Sequence, residues 1–172
     1  MNVDLVKAFQ LADSVFPFEN QVDPDPIKEG LDGLRIIEPI HYKGEIYKVE
    51  GSYLIQADIK YKYEAKCDRC YETTIKEVST SLSGRLEDNE SVFEEDEEDQ
   101  DDIIYYEKGI LNLDEYILME VASSIPMKTL CDESCKGLCT VCGADLNKES
   151  CTCLDDYIDP RFELLKDFFP KE

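Results

Sequence analysis

Residues 53–67 read Tyr53-Leu-Ile-Gln-Ala-Asp-Ile-Lys-Tyr-Lys-Tyr-Glu-Ala-Lys-Cys67, and their alternation decides the fold class. Tyr53, Ile55, Ala57, Ile59, Tyr61, Tyr63, Ala65 and Cys67 fall on one face; Lys60, Lys62, Glu64 and Lys66 fall on the other. Successive side chains of a strand point to opposite faces of a sheet. A period of two in β-forming residues therefore predicts a long antiparallel strand with one wet face. Cys67-Asp-Arg-Cys70 follows as a tight connection, and Tyr71–Leu86 predicts the returning strand, with Val78, Thr80, Leu82 and Leu86 in register. Ile75 is out of phase with that set, which predicts a bulge near Lys76–Glu77. Upstream, Ile36–Tyr42 and Glu45–Val49 read as shorter strands joined around Gly44, and Asp23-Pro-Asp-Pro26 breaks regular structure before them.

Downstream, Leu113, Ile117, Val121 and Ile125 recur four apart, with Leu118 and Ala122 beside them, and Pro126 stops the run. That spacing lines one face of an amphipathic helix, and Asn112 followed by Glu115 suits a capping box. A final short helix is predicted from Asp159-Pro160, burying Phe162, Leu165 and Phe169. The expected fold is α+β: an antiparallel sheet with a long hairpin, packed by a few helices, plus a Cys-rich zinc-binding C-terminal segment. The expected organisation is a sheet domain with its N-terminal segment over 1–86 and an acidic flexible loop over 87–109. Residues 110–172 then supply the helix, the zinc knuckle and the terminal helix, packed on the sheet.

Charge narrows the function. The chain has 172 residues, 40 acidic against 18 basic, for a formal net charge of −22. Phosphate binding needs neutralising Lys and Arg, so a generic basic nucleic-acid clamp is excluded, as is a binder of anionic membranes. No run approaches the roughly eighteen apolar residues that a bilayer span requires. The start of the chain lacks the basic and apolar regions of a signal peptide, so the expectation is a cytoplasmic protein. Residues 87–102 hold eleven acids and no base, which predicts an extended, self-repelling tether. Residues 41–76 hold seven bases and six acids. There Lys60, Lys62, Lys66 and Arg69 are the expected contacts for a partner or for RNA.

Eight cysteines in a chain expected in a reducing compartment point to metal or redox chemistry rather than disulfides. The tail reads Cys131-x3-Cys135-x3-Cys139-x2-Cys142-Gly143, then eight residues to Cys151-x-Cys153. A Cys-x-x-Cys-Gly pair puts two thiolates on one side of a turn, and the glycine lets backbone amides point at sulfur. A second short-spaced pair completes four-sulfur coordination, which suits Zn(II), an ion without a geometric preference of its own. Cys139, Cys142, Cys151 and Cys153 make such a set. If the tail folds back on the sheet, Cys67, Cys70, Cys131 and Cys135 make a second, so one or two structural zinc ions are expected. Catalytic Cys-x-x-Cys pairs usually sit at a helix N-terminus, where the dipole lowers the thiol pKa. Cys67-Asp-Arg-Cys70 instead joins two strands, which argues against an oxidoreductase.

Other chemistry is thin. His41 is the only histidine, and with so many acids close carboxylate pairs arise by chance. No phosphate loop, dinucleotide fingerprint or calcium loop is present, so neither an enzyme nor a small-molecule substrate is expected.

Four features occur in order: Cys67-Asp-Arg-Cys70 at the end of a long strand; the acidic run; a helix ending Ile125-Pro-Met-Lys128; and Leu130-Cys-Asp-Glu-Ser-Cys-Lys-Gly-Leu-Cys-Thr-Val-Cys-Gly-Ala-Asp-Leu-Asn147. The chain closes with Asp159-Pro-Arg161 and a short apolar stretch. This arrangement resembles the YceD family, the large ribosomal RNA subunit accumulation proteins of bacteria and plastids. The resemblance implies a non-enzymatic role in making or preserving large-subunit (23S) ribosomal RNA, hence in ribosome biogenesis. It implies as partners the pre-ribosomal large subunit, a ribosomal protein or ribosomal RNA, with no membrane involved. It also suggests that Arg69 and its turn serve something besides metal. Two other readings stand beside it: a zinc-ribbon adaptor for an unrelated complex, and a thiol oxidoreductase with a depressed pKa at Cys67 or Cys70.

Overall fold

The alternation at 53–67 becomes a fifteen-residue strand, Ser52–Lys66. Ile55, Ala57, Ile59, Tyr61 and Tyr63 are buried, while Gln56, Asp58 and Lys60 between them are exposed. The computed structural model describes residues 1–11, 14–25, 33–89 and 103–153. In chain order these form β1 (Asn2–Asp4), α1 (Leu5–Leu11), β2 (Val15–Val22), β3 (Leu34–Ile36), β4 (Ile40–Val49), β5 (Ser52–Lys66), β6 (Thr73–Asp88), β7 (Ile103–Tyr106), β8 (Ile110–Asn112) and α2 (Leu113–Ser124). The terminal helix expected from Asp159 lies outside the described residues, as does most of the acidic run.

The main sheet runs β2-β4-β5-β6-β7, with β3 pairing the far end of β5 through Leu34–Ala65 and Ile36–Tyr63. β1 and β8 form a separate antiparallel ribbon centred on the buried pair Val3 and Leu111. The fold is thus α+β, mostly antiparallel, with two helices among the described residues. One pair departs from the expected antiparallel order: β6 and β7 are parallel, with Arg85 opposite Ile103 and Asp88 opposite Tyr106. Parallel neighbours need a crossover of about a dozen residues or more. Residues 89–102 are that connection, so the acidic run has a topological task as well as a charge.

Two local expectations change. β4 passes straight through Gly44, which pairs with Phe18 on one side and Ala57 on the other. A Cβ at Gly44 would lie 2.1 Å from the carbonyl oxygen of Gln56, so the glycine marks close backbone approach within a strand, not a turn. The turn comes later, at Glu50 and Gly51, both at positive φ (51° and 93°), as a two-residue hairpin of matching twist requires. On β6, burial alternates without interruption from Thr73 to Leu86, and Ile75 lies on the exposed face. No bulge is needed to place it.

Helix α2 buries Leu113, Ile117 and Val121 in the sheet's core. Three side chains from the strands also hold it. Tyr42 Oη donates to Asp114 Oδ1 at 2.6 Å in the first turn, and Thr80 Oγ1 donates to Glu120 Oε1 at 2.7 Å. Tyr61 and Ser124 hydroxyls meet at 3.1 Å in the last turn. Buried tyrosines need such partners, because an unpaired hydroxyl in an apolar core costs free energy. The expected capping box does not form: Asn112 makes no side-chain cap bond, and its Nδ2 donates to Glu115 Oε2 at 3.3 Å. Asn112 is the last residue of β8, paired with Asn2, which holds it outside cap geometry. Among the described residues no helix is long and apolar enough to cross a membrane.

Because the obstacle at Gly44 is backbone, it cannot swing aside. Gly44→Ala should destabilise the sheet by about 2 kcal/mol or more through forced backbone shift. Chemical denaturation followed by circular dichroism checks this; an unchanged midpoint would contradict the close-approach reading.

Candidate metal centre

The chain divides into two compact units, and the hairpin tip, Lys66–Thr74, belongs with the chain from Lys128 onward rather than with the sheet. Within this second unit the eight cysteines form no disulfide and gather in two groups. Cys67, Cys70, Cys131 and Cys135 form one, Cys139, Cys142, Cys151 and Cys153 the other, with all sulfurs of a group within 4.8 Å of one another. In the first group Cys67 and Cys135 sulfurs are 3.8 Å apart, and Cys70 and Cys131 sulfurs 3.6 Å. In the second, Cys151 lies 3.4 Å from Cys142 and 3.5 Å from Cys139. A disulfide needs about 2.05 Å. A tetrahedral ion with Zn–S bonds of about 2.3 Å sets its sulfurs about 3.8 Å apart. The spacing therefore fits four-sulfur metal coordination, and each group could hold one ion.

The hairpin tip is built to present its pair. The Cys67 amide donates to the Glu72 carbonyl at 2.9 Å and the Tyr71 amide to the Cys67 carbonyl at 2.8 Å, closing the turn with Tyr71 at φ 60°. Asp68 then braces the tip against the tail. Its amide donates to the Thr129 carbonyl at 2.8 Å, and its Oδ2 accepts from the Thr129 amide at 2.6 Å. Arg69 Nη1 donates to the carbonyl oxygens of Cys135 at 2.7 Å and Glu133 at 3.2 Å, while the Arg69 carbonyl accepts from Leu138 at 3.1 Å. Gly137 faces that carbonyl at φ 77°, and a Cβ there would lie 2.9 Å from it. Only glycine combines that φ with that proximity.

The tail then doubles back. The Cys139 amide donates to the Ala144 carbonyl at 2.8 Å, the Gly143 amide to the Cys139 carbonyl at 2.9 Å, and the Leu146 amide to the Gly137 carbonyl at 3.0 Å. The Val141 and Cys142 amides point at Cys139 Sγ from 3.4 and 3.5 Å. Cys67, Cys70 and Cys135 are buried with Leu130 and Leu138 packed on them, whereas Cys142 and Cys153 are exposed. The first centre is enclosed and the second open.

Each group holds one acidic thiol and two raised ones. Backbone amides, that of Cys131 foremost and then those of Cys70 and Arg69, bring Cys67 down to about 6. The Cys142 and Val141 amides do the same for Cys139, also to about 6. Crowding by the thiols of Cys135 and then Cys70 pushes Cys131 up to about 12. At Cys151 the Cys153 amide pulls the thiol down, but the thiols of Cys153, Cys142 and Cys139 outweigh it and carry it to about 12. A depressed thiol usually marks a reactive one. Cys67, however, has no solvent exposure. Its acidity serves ligation better than attack.

The four basic residues of the expected contact surface fare differently. Lys60 is exposed opposite His41, and Lys66 is exposed; neither has an ion-pair partner among the described residues. Lys62 pairs with Glu38 at 3.0 Å. Arg69 is engaged with the tail carbonyls described above. Asp68, Gly137 and Asn147 are supporting residues that motif spacing does not single out, because their partners lie elsewhere in the chain.

The family model for the large ribosomal RNA subunit accumulation protein YceD matches residues 55–169, a span that includes all eight cysteines, and the chain belongs to that family. The chain is also similar to an Arabidopsis thaliana protein, the chloroplastic large ribosomal RNA subunit accumulation protein YCED homolog 1, at 35% identity over 57 residues. That match covers 32% of this chain and 18% of the relative's length. No solved structure matches the chain.

Thiols held up at neutral pH must lose their protons when a divalent ion binds. Cys70 and Cys131 are raised in the enclosed group, Cys151 and Cys153 in the open one. Uptake at pH 7 should therefore release at least about two protons per ion, since only thiolate binds. Cys67 and Cys139, being depressed, stay ionised until the pH falls through about 6, where affinity should decline more steeply. A pH-stat titration of metal-free protein checks both; uptake without proton release would contradict thiolate ligation.

Proposed function

We propose that the chain is a non-enzymatic accessory factor in ribosome biogenesis, serving synthesis, processing or stability of large-subunit ribosomal RNA. The family match over 55–169 carries this reading, because it spans the β5–β6 hairpin, α2 and both cysteine groups together. The ions held by the two groups are Zn(II) in a structural role. Four thiolates at tetrahedral spacing suit zinc, which has no redox chemistry to expose. The protein works in the cytoplasm, where such thiols stay reduced.

Charge bears on the partner. At −22 the chain's long-range field opposes approach to RNA, and each four-thiolate site holding a divalent ion adds negative charge. Direct RNA contact, if used, falls to local groups such as Lys60 and Lys66. A basic ribosomal protein, alone or on a pre-ribosomal particle, fits the field better, with the acidic run at 87–102 supplying complementarity. A zinc-ribbon adaptor unrelated to ribosomes is the other reading that the paired thiols support. An oxidoreductase is disfavoured by the burial of Cys67 and Cys70.

Depleting the protein should lower the ratio of large- to small-subunit ribosomal RNA on a sucrose gradient. A balanced ratio would leave the adaptor reading in place of this one. A separate measurement tests the tether. Residues 89–102 span a parallel crossover, so their acids should be replaced by Asn and Gln rather than deleted. Binding to a purified basic ribosomal protein should then weaken and lose most of its salt dependence; unchanged binding would remove the tether from the mechanism.

A further inference from the structure

The two cysteine groups are not independent modules. Cys135, a member of the enclosed group, and Cys139, a member of the open one, flank Lys136-Gly137-Leu138. That segment forms one side of the tail hairpin, with the Leu138–Asp145 bridge and the Cys139-to-Ala144 and Leu146-to-Gly137 bonds holding the other. At the end of the returning side stands Asn147. Its Oδ1 accepts from the Lys136 amide at 2.8 Å, and its Nδ2 donates to Asp145 Oδ1 at 2.9 Å. The same Nδ2 donates to Cys135 Sγ at 3.4 Å. Asn147 lies between Cys142 and Cys151, inside the loop that the open group closes, yet its side chain reaches a sulfur of the enclosed group.

Resting on the two-zinc reading above, we propose that Asn147 is a positioning residue through which occupancy of the open site sets the affinity of the enclosed site. An N–H donor on a thiolate spreads its charge and fixes its direction. Such outer partners are worth about 10–100-fold in metal affinity. The donor is held in place by the hairpin, and the hairpin's far end is tied by Cys142 and Cys151. An ion at the open site orders that loop and delivers the amide to Cys135. With the open site empty, only the hairpin's own hydrogen bonds, to Lys136 and Asp145, hold the donor. Coupling is reciprocal, so filling the enclosed site also favours the open one. The exposed pair, Cys142 and Cys153, is the first that oxidants or chelators reach, and its loss would weaken the enclosed centre at a distance.

The test is a Co(II) titration of the metal-free full chain against a competing chelator, read by the thiolate-to-cobalt charge-transfer absorption. The wild type should take up two ions. Cys142→Ser and Cys153→Ser, made separately, should each leave one tight ion, with enclosed-site affinity lowered at least tenfold. Asn147→Ala should still bind two ions, the enclosed one about 10–100-fold more weakly and with a shifted charge-transfer band, since removing the donor changes the sulfur's electron density. Combining Asn147→Ala with Cys142→Ser should cost the enclosed site no more than either change alone. Two ions in the wild type with an enclosed site indifferent to all three single variants would overturn the coupling and leave the two-zinc reading intact. Fewer than two ions in the wild type would overturn that reading itself, and the coupling with it.

Discussion

A fifteen-residue strand with one apolar face must satisfy backbone amides along both edges and keep that face from water. β5 meets both demands, and the first unit is arranged around how it does so. β4 and β3 share one edge between them, because β4's register runs out at His41 opposite Lys60 and β3 takes over at Tyr63. β6 lies along the other edge. The inner face, from Ile55 to Tyr63, is the floor of the core on which Leu113, Ile117 and Val121 of α2 pack. Burying Tyr61 there and Tyr42 on neighbouring β4 creates two hydroxyls to satisfy, and α2 answers them at its last and first turns through Ser124 and Asp114. The packing demand and the polar demand select the same helix position.

The described part of the second unit is held together in a different way. Among its described residues the buried cluster is Cys67, Cys70 and Cys135, with Leu130, Cys131 and Leu138 against them. Polar braces accompany it: Asp68 with Thr129, Arg69 with the carbonyls of Glu133 and Cys135, and Gly137 pressed to Arg69. They converge on crowded thiols whose mutual repulsion is visible at Cys131 and Cys151, both pushed to about 12. A divalent cation bound there would remove that repulsion and replace it with bonds. Arg69, one of the expected partner contacts, is part of this brace.

Much of the design was legible in the order of residues. Strict alternation over 53–67 marks β5 and its buried face, because a period of two has no other simple structural reading. The four-apart recurrence from Leu113 marks α2. Short-spaced cysteines mark thiol pairs, since a turn of three or four residues brings two sulfurs to one side whatever surrounds it. What stayed hidden has one cause: a partner distant in the chain. Gly44 reads as a turn until Gln56 is seen against it, and Asn112 reads as a cap until β1 holds it in a strand. β1, β2, β7 and β8 are short or weakly patterned and exist because a neighbour pairs them. The parallel hand of β6 and β7 depends on where the chain returns after 89–102, which no local pattern encodes. Periodicity and spacing are local, so the order of residues is enough to mark which could be core and which could be ligands. Tertiary structure alone decided that Cys67 and Cys70 join Cys131 and Cys135, because contact across sixty residues is set by the whole fold's packing and hydrogen bonding.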